Sequence, residues 1–442
     1  MNRLEKAAED IARSILRCSS MRVISHNDAD GITSAGLICN ALRRAGIPFH
    51  ATLLNRLDAS VVDGLQGPVV FCDMGSGKPE LISRLKGECF VLDHHRPVGT
   101  LDCMHLNPHL FGIDGAFELS AAGVVYSVVR KMGQNADLAG LAIVGAMGDR
   151  QAMIGPNRSI LEEAVSVGAV EVKAGLKMAE DGPVKEVFHR AVEPLLDFTG
   201  NAKKADKFLE ELRIKGDTVT QSLERDDLTK LCTALTLKLL MQGSFAADSI
   251  MGEVIRLKKE VVENSLEMVQ LLNACGNRDL PGLGLTLCLR DKGALIDARR
   301  LASEYRAHIM EEIKFLQENR QEKNFIRYLL LKDGEAGAVV AGLGIRYLFT
   351  DKPLITLNHK DEIVKISARG NKLLIARGLD LSIALRQAAE AVGGVGGGHT
   401  IASGASIPPG TEEGFLSIVD EIVGGQLGQS QSPQAQAGGG SA

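Results

Sequence analysis

Short apolar runs alternate with longer amphipathic stretches through the first third of the chain. Met21–Ser25 (MRVIS) predicts a buried strand that stops at His26, and Gly31–Ala45 carries apolar residues at helical spacing and predicts the helix that follows. Phe49–Leu54, Val69–Cys72 (VVFC) and Cys89–Leu92 (CFVL) predict further strands, the last two stopping at Asp73 and Asp93. Leu119–Lys131 and Asp137–Met147 predict helices, the second running into Gly148 and Asp149. Strands alternating with helices in this way predict an α/β fold with a parallel sheet.

The pattern changes after Pro156. From there to Leu272 it is mostly helical, with helices predicted over Arg158–Met178, Lys203–Leu212 and Asp226–Met241 and a long charged helix over Asp248–Leu272. Pro281–Gly284 marks a break. Beyond it, Ile326–Lys332 and Ala336–Ala341 flank Asp333-Gly334 and predict a hairpin. Leu354–Leu357 and Ile363–Ser367 predict another, and Leu381–Val392 a helix that leads into a glycine-rich run. From Gly424 the chain is rich in Gly, Gln, Ser and Ala and is expected to be disordered. The expected division is a parallel-sheet domain over 1–155, a mostly helical insertion over 156–275, a smaller α/β C-terminal domain over 276–423 and a tail over 424–442.

Composition narrows the function. A chain of 442 residues, 45% hydrophobic and 24% charged, has material for two or three compact domains. Aromatic residues make up 4% and Trp is absent, so aliphatic side chains must fill the cores and a nucleic-acid surface cannot depend heavily on stacking. A net charge of -5 argues against a generally basic polymer-coating protein while leaving room for a local basic groove. The eight Cys include no CxxC pair and are expected to be free thiols in a reducing cytosol. The first residues, MNRLEKAAEDIARSIL, read as a charged amphipathic helix rather than a signal peptide, and no apolar run approaches the roughly 20 residues of a membrane span. The expectation is a soluble, cytoplasmic protein with no membrane segment.

The chemistry lies where the strands stop. In an open parallel sheet the carboxyl ends of the strands share one edge, and ligands bind there. His26, Asp73 and Asp93 each follow an apolar run, Asp28 and Asp30 alternate with His26 in the HNDADG stretch, and Asp149 would reach the same edge from a helix end. Several carboxylates in one crevice repel one another unless cations sit between them. Imidazole with carboxylate suits Mn, and also Zn, Fe or Co, whereas oxygen alone would suit Mg better. Two such ions can hold a phosphate and stabilise both the attacking and the leaving oxygen of a displacement.

The combination of His26–Gly31, Asp73, Asp93-His94-His95 and the Asp149 of GDRQ resembles the DHH phosphoesterase superfamily. The run GGVGGGHTIASG at Gly393–Gly404 resembles the glycine-rich signature of the DHH-associated C-terminal domain. The resemblance implies that His26, Asp28 and Asp73 bind one metal ion. It implies that Asp30, Asp73, His94 and Asp149 bind the other, with Asp73 bridging, and that two divalent ions are present, Mn first, with Mg or Co as alternatives. Asp93 would orient an imidazole, and His95 would face the scissile phosphate or leaving group. Arg369, Gly396, Gly397, Gly398 and His399 would hold substrate, because a glycine run exposes backbone N–H groups to a phosphate backbone. Asn107-Pro108-His109 and Ser120–Gly123 resemble further family positions, while His105 and His109 read as surface-loop histidines.

The HxDxD spacing is closer to the RecJ-type nuclease branch than to branches acting on small substrates. Softer likenesses at Asn157–Met178, Leu196–Gly200 and Leu271–Asn277 (LLNACGN) resemble the archaeal RecJ-like nucleases. The resemblance implies a single-strand-specific exonuclease acting on DNA, RNA or both in replication, repair or RNA turnover, with the GINS replication complex as a partner. Two alternatives stand beside it: a nano-RNase or cyclic-dinucleotide phosphodiesterase, and a replisome scaffold that binds GINS.

Overall fold

The computed structural model describes residues 3–178, 181–331, 336–360 and 362–429. The chain divides into two compact units, one formed by Met1–Asp181 with Gly252–Tyr305, the other by Gly182–Met251 with Arg306–Ala442. The segment 156–275 is therefore shared between the two units rather than forming a body of its own.

The first unit is built on strands β1 (Met21–His26), β2 (Phe49–Leu54), β3 (Val69–Cys72), β4 (Cys89–Leu92) and β5 (Met104–Leu106). They form one parallel sheet in the order β2-β1-β3-β4-β5. In register, Ile24, Phe71 and Val91 line up across β1, β3 and β4 and pack against Leu57, Val62, Met74 and Ile82. The helix Ala29–Arg44 packs on β1, and it contacts the helices Ala121–Val129 and Ala139–Gly148 in turn. Burial on both faces explains why VVFC and CFVL are continuously apolar instead of alternating. The strand order reverses direction between β1 and β3, and in sheets of this order that switch point is where a crevice opens at the carboxyl edge.

The middle of the chain corrects two expectations. Arg158–Met178 is not one helix: the helix Gly155–Ser166 ends and β6 (Val170–Leu176) follows. Asp248–Leu272 contains β7 (Met251–Leu257), and the helix starts only at Ser265, running to Asn277. β6 and β7 pair with each other as a separate two-stranded sheet. The helices expected near 203–212 and 226–241 are present as Ala202–Glu211 and Arg225–Met241.

The second unit carries a six-stranded sheet of β8 (Gln321–Glu322), β9 (Arg327–Leu330), β10 (Leu354–Lys360), β11 (Ile363–Arg369), β12 (Val395–Gly398) and β13 (Ala402–Ile407), in the order β12-β13-β11-β10-β9-β8. The expected hairpin of β10 and β11 is present as an antiparallel pair. The other expected hairpin is not. Asp333 and Gly334 lie outside the described residues, Gly337–Leu343 is a helix, and β9 pairs with β10 in parallel. A Gly and Val run of this length fits either state, and the buried Val340 and Ala341 favour the helix here. The C-terminal helix Glu412–Gln429 also extends past Gly424, because Val419, Val423 and Leu427 continue one buried stripe. Residues 430–442 lie outside the described residues. All eight Cys are free thiols, and no described helix is long and apolar enough to cross a membrane.

Candidate metal centre

Each residue expected at the sheet edge arrives there by a local device. His26 is the last residue of β1. Asp28 is the N-cap of the helix Ala29–Arg44, its Oδ1 accepting the Gly31 N–H at 2.9 Å. Gly31 serves close approach, since a Cβ there would lie 2.3 Å from the His26 carbonyl oxygen. Asp30 stands in the first turn of the same helix, fully buried, and its two oxygens accept the Ala121 and Ala122 N–H groups at 2.8 and 2.9 Å. Asp73 follows β3 with φ 58°, a left-handed backbone that costs a non-glycine residue on the order of 1 kcal/mol. Asp149 is the C-cap of the helix Ala139–Gly148.

These devices bring nitrogen and oxygen atoms into three overlapping groups, within each of which the candidate ligand atoms lie no more than 4.8 Å apart: His26, Asp28 and Asp73; Asp30, His94 and Asp149; and Asp73, His94 and His95. His26 Nδ1 is 3.0 Å from Asp28 Oδ2 and 3.4 Å from Asp73 Oδ2. His94 Nε2 is 3.2 Å from Asp149 Oδ2 and 3.4 Å from Asp73 Oδ1. Asp73 thus touches both halves.

The fit to a cation shows in what these atoms fail to do for one another. His26 Nδ1 and Asp73 Oδ1 are buried and make no hydrogen bond of acceptable geometry among the described residues. Buried polar groups without partners are expensive, and ligand atoms converging on a metal are the ordinary exception.

Protons take the cation's place in the bare protein. Burial raises Asp30 well above the carboxylate range, helped by Asp149 and Asp73. Burial also raises Asp149 to about 7, against the pull of His94 and with repulsion from Asp28 and Asp73. Burial opposes charge on His26, but Asp28 and Asp73 outweigh it and raise the imidazole; His94 is raised in the same way, against burial, by Asp73 and Asp149. Asp73 stays ionised, because the imidazoles of His26 and His94 beside it outweigh its burial.

Asp93 is placed for a different task. Its Oδ1 accepts from His95 Nδ1 at 2.8 Å and its Oδ2 accepts the Ser76 N–H at 2.9 Å. Its buried carboxyl is lowered to about 2 by His95 despite the burial. The same pairing raises His95 to about 9 against burial. His95 is the more open of the two histidines, its side chain 43% exposed against 8% for His94. His105, expected on a surface loop, lies in β5 with Nε2 2.9 Å from Ser76 Oγ.

Several supporting residues were not singled out by the sequence. Gly115 accepts from His94 Nδ1 at 2.7 Å and from Gln151 Nε2 at 2.7 Å, and Gln151 accepts from Asn157 at 2.8 Å. Asn107 donates to Ser76 Oγ and to the His95 carbonyl. Gln151 and Asn107 fall inside quoted motifs, but nothing in their spacing marks them as supports.

A family model described as "DHH family, N-terminal domain" matches residues 20–146, and one described as "DHHA1 domain" matches residues 348–425. An uncharacterized protein of Methanocaldococcus jannaschii is 33% identical over 443 residues, covering 97% of this chain and 99% of its own. The chain belongs to the DHH family. Among solved structures, RecJ from Thermus thermophilus in complex with Mn2+ matches with a TM-score of 0.63 at 17% identity, covering 95% of this chain and 54% of that one. The chain thus spans about half the length of that RecJ. CDC45 from Entamoeba histolytica matches with a TM-score of 0.65 at 12% identity, covering 96% of this chain and 99% of that one. At these identities the likeness establishes a RecJ-like fold.

The DHHA1 match contains the second set of expected site residues. Gly396, Gly397 and Gly398 form most of β12, the edge strand of the second unit's sheet. His399 opens the turn to β13, its N–H donating to the Ala402 carbonyl at 2.8 Å. Arg369 ends β11 and pairs in register with Ala402, so it stands at the same end of the sheet as that turn.

Proposed function

We propose that this DHH-family protein is a phosphodiesterase that uses two divalent ions, Mn first, to degrade single-stranded DNA or RNA from an end. The observation that carries the reading is Asp73, whose two oxygens face His26 on one side and His94 on the other. His26, Asp28 and Asp73 hold one ion; Asp30, Asp73, His94 and Asp149 hold the other. Ions held there supply positive charge against the negative charge that builds on a phosphate under attack. Mixed imidazole and carboxylate donors suit Mn better than Mg.

The protein's own groups do the rest. Asp93 remains ionised and fixes the Nδ1 proton of His95, so contact with the substrate falls to Nε2. In the bare protein Asp93 raises the His95 imidazole, and a protonated ring can donate through Nε2 to a phosphate oxygen or to the leaving oxygen. Arg369 offers a planar fork of donors suited to phosphate, and the β12 glycines with His399 offer backbone and ring donors along the strand.

The test is digestion of end-labelled single-stranded DNA and RNA with Mn or Mg, beside a dinucleotide. The wild-type protein is expected to shorten the long strand, and Asp73→Ala and Asp149→Ala to leave it intact. Full activity in both variants would overturn the site assignment, and turnover confined to the dinucleotide would favour the nano-RNase or cyclic-dinucleotide reading. The likeness in fold to CDC45 is compatible with a second reading, a scaffold that docks to the GINS replication complex. The complete ligand set argues that any such role accompanies catalysis, and GINS co-purification with the Asp73→Ala variant separates the two.

A further inference from the structure

The segment Leu271–Asn277 (LLNACGN) has no part in the ligand set, yet the fold brings it onto the loop that carries Asp28. Asn273 Oδ1 accepts the Ala29 N–H at 3.1 Å across a separation of 244 residues. Asn27 Nδ2 donates to the Gly276 carbonyl at 3.2 Å. A Cβ on Gly276 would lie 1.9 Å from the Asn27 carbonyl oxygen and 3.7 Å from the Asp28 Cα, so the two backbones abut with no room for a side chain. Asp28 therefore sits between neighbours that are both tied to one helix.

The side chain of Asp28 is 41% exposed and has little packing of its own to hold it. One oxygen is committed to the Gly31 N–H, and the other faces His26. Its position depends on the flanking backbone. The Ala29 N–H is one of the first-turn donors that a helix cannot satisfy internally, and here a second element satisfies it. The opposite half of the site is held differently: Asp30 by the Ala121 and Ala122 N–H groups, and His94 by Gly115.

We propose that Asn273 and Gly276 are positioning residues that set the Asp28 half of the metal centre independently of the Asp149 half. The inference rests on the metal-site reading above and adds that the two ions have separate supports. Groups that orient metal ligands without touching the metal typically contribute tenfold to hundredfold in affinity.

The experiment is Mn(II) titration of the full chain by calorimetry and electron paramagnetic resonance, with Asp28→Ala and Asp149→Ala assigning the two ions. Asn273→Ala is expected to weaken the Asp28-dependent ion by about tenfold to hundredfold and to leave the Asp149-dependent ion unchanged. Asn273→Asp, which keeps an acceptor for the Ala29 N–H, holds that ion at least as well as wild type. Gly276→Ala, which displaces the Asn27 carbonyl, behaves like Asn273→Ala. Wild-type affinity at both ions in Asn273→Ala, equal loss of both, or equal loss in Asn273→Asp would each overturn the proposal. If Asn273→Ala does not fold, Asn27→Ala removes the other tie from the loop side and carries the same comparison. If the wild-type protein binds no ion, the metal-site reading fails first. Amide exchange at Ala29 then decides the clamp, and unchanged protection in Asn273→Ala rejects it.

Discussion

The Nδ1 of His94 lies 2.7 Å from the carbonyl oxygen of Gly115. A carbonyl only accepts, so the proton sits on Nδ1 and Nε2 is left to face Asp73 and Asp149. Gly115 cannot carry a side chain without moving, because a Cβ would lie 2.1 Å from the His94 carbonyl oxygen and 3.0 Å from His109 Nε2. Gly115→Ala is therefore expected to turn the His94 ring and weaken the Asp149-dependent ion by about tenfold to hundredfold. Mn(II) titration checks this, and unchanged affinity would show that the Gly115 contact does not set the ring.

The bare centre also sets a pH dependence. His95 is raised to about 9, so its contribution to stability is complete below the ordinary histidine pKa and is lost as pH rises through about 9. Asp149 is raised to about 7, so its ionisation between the ordinary carboxylate pKa and about 7 removes stability as well. Asp73 and Asp93 are lowered, and their contributions are lost only in acid. The metal-free protein is expected to melt at progressively lower temperature from about pH 6 to about pH 9. Because Asp149, Asp30 and the His94 ring must each give up a proton to bind the same ion, and all three are raised, Mn(II) affinity should rise by at least about tenfold per pH unit below about pH 7 and go on rising above it. Calorimetric titration between about pH 5.5 and about pH 8.5, a window around that pKa, reads the slope. An affinity independent of pH would contradict the assignment of Asp149.

Away from the centre, Arg290 joins two elements of the first unit. Its guanidinium contacts Asp137 at 2.7 Å and Glu260 at 2.8 Å, and Arg44 reaches Asp137 from a third direction at 2.7 Å. The Glu260 side chain is 1% exposed, and burial raises its pKa against the pull of Arg290. Arg290→Ala strands that carboxyl and is expected to cost about 3–5 kcal/mol in urea unfolding near neutral pH. The cost should shrink in mild acid, where Glu260 can take up a proton. Asp137, lowered to about 2 by Arg44 and Arg290, keeps its contribution above the ordinary carboxylate pKa and loses it as pH falls toward 2.

What could be read from the sequence were the parts set by local rules. VVFC and CFVL are apolar because both faces of the sheet are covered, and each ends where the backbone leaves the core, so Asp73 and Asp93 stood out. The β10–β11 hairpin was legible because its strands are neighbours in sequence. The pairing of β6 with β7 was not, because residues 177–250 separate the two strands and the charged residues of Asp248–Leu272 fit a helix equally well. Support of the site was illegible for a related reason. Asn273, Gln151 and Gly115 act through one or two hydrogen bonds each, to groups that are far away in sequence or set by no local pattern. No period or spacing encodes such contacts.

The glycines of β12 separate packing from binding. A Cβ on Gly396 would lie 2.5 Å from the Leu385 carbonyl oxygen, because the helix Leu381–Ala391 packs directly on this strand. Gly396→Ala is expected to lower stability by about 1–3 kcal/mol through overpacking, whatever its effect on binding. At Gly397 a Cβ meets nothing within 4 Å, so packing among the described residues does not explain the glycine. Gly397→Ala is expected to change stability by no more than about 0.5 kcal/mol, as for an ordinary surface substitution. If the edge of β12 lies against a phosphate backbone, the added methyl occupies the space the strand needs, and the dissociation constant for a single-stranded oligonucleotide rises by about tenfold or more, the equivalent of about 1.4 kcal/mol. Thermal melting and fluorescence anisotropy on the same pair of variants read both quantities. Unchanged oligonucleotide affinity in Gly397→Ala would remove this edge from the proposed binding surface while leaving the metal centre untouched.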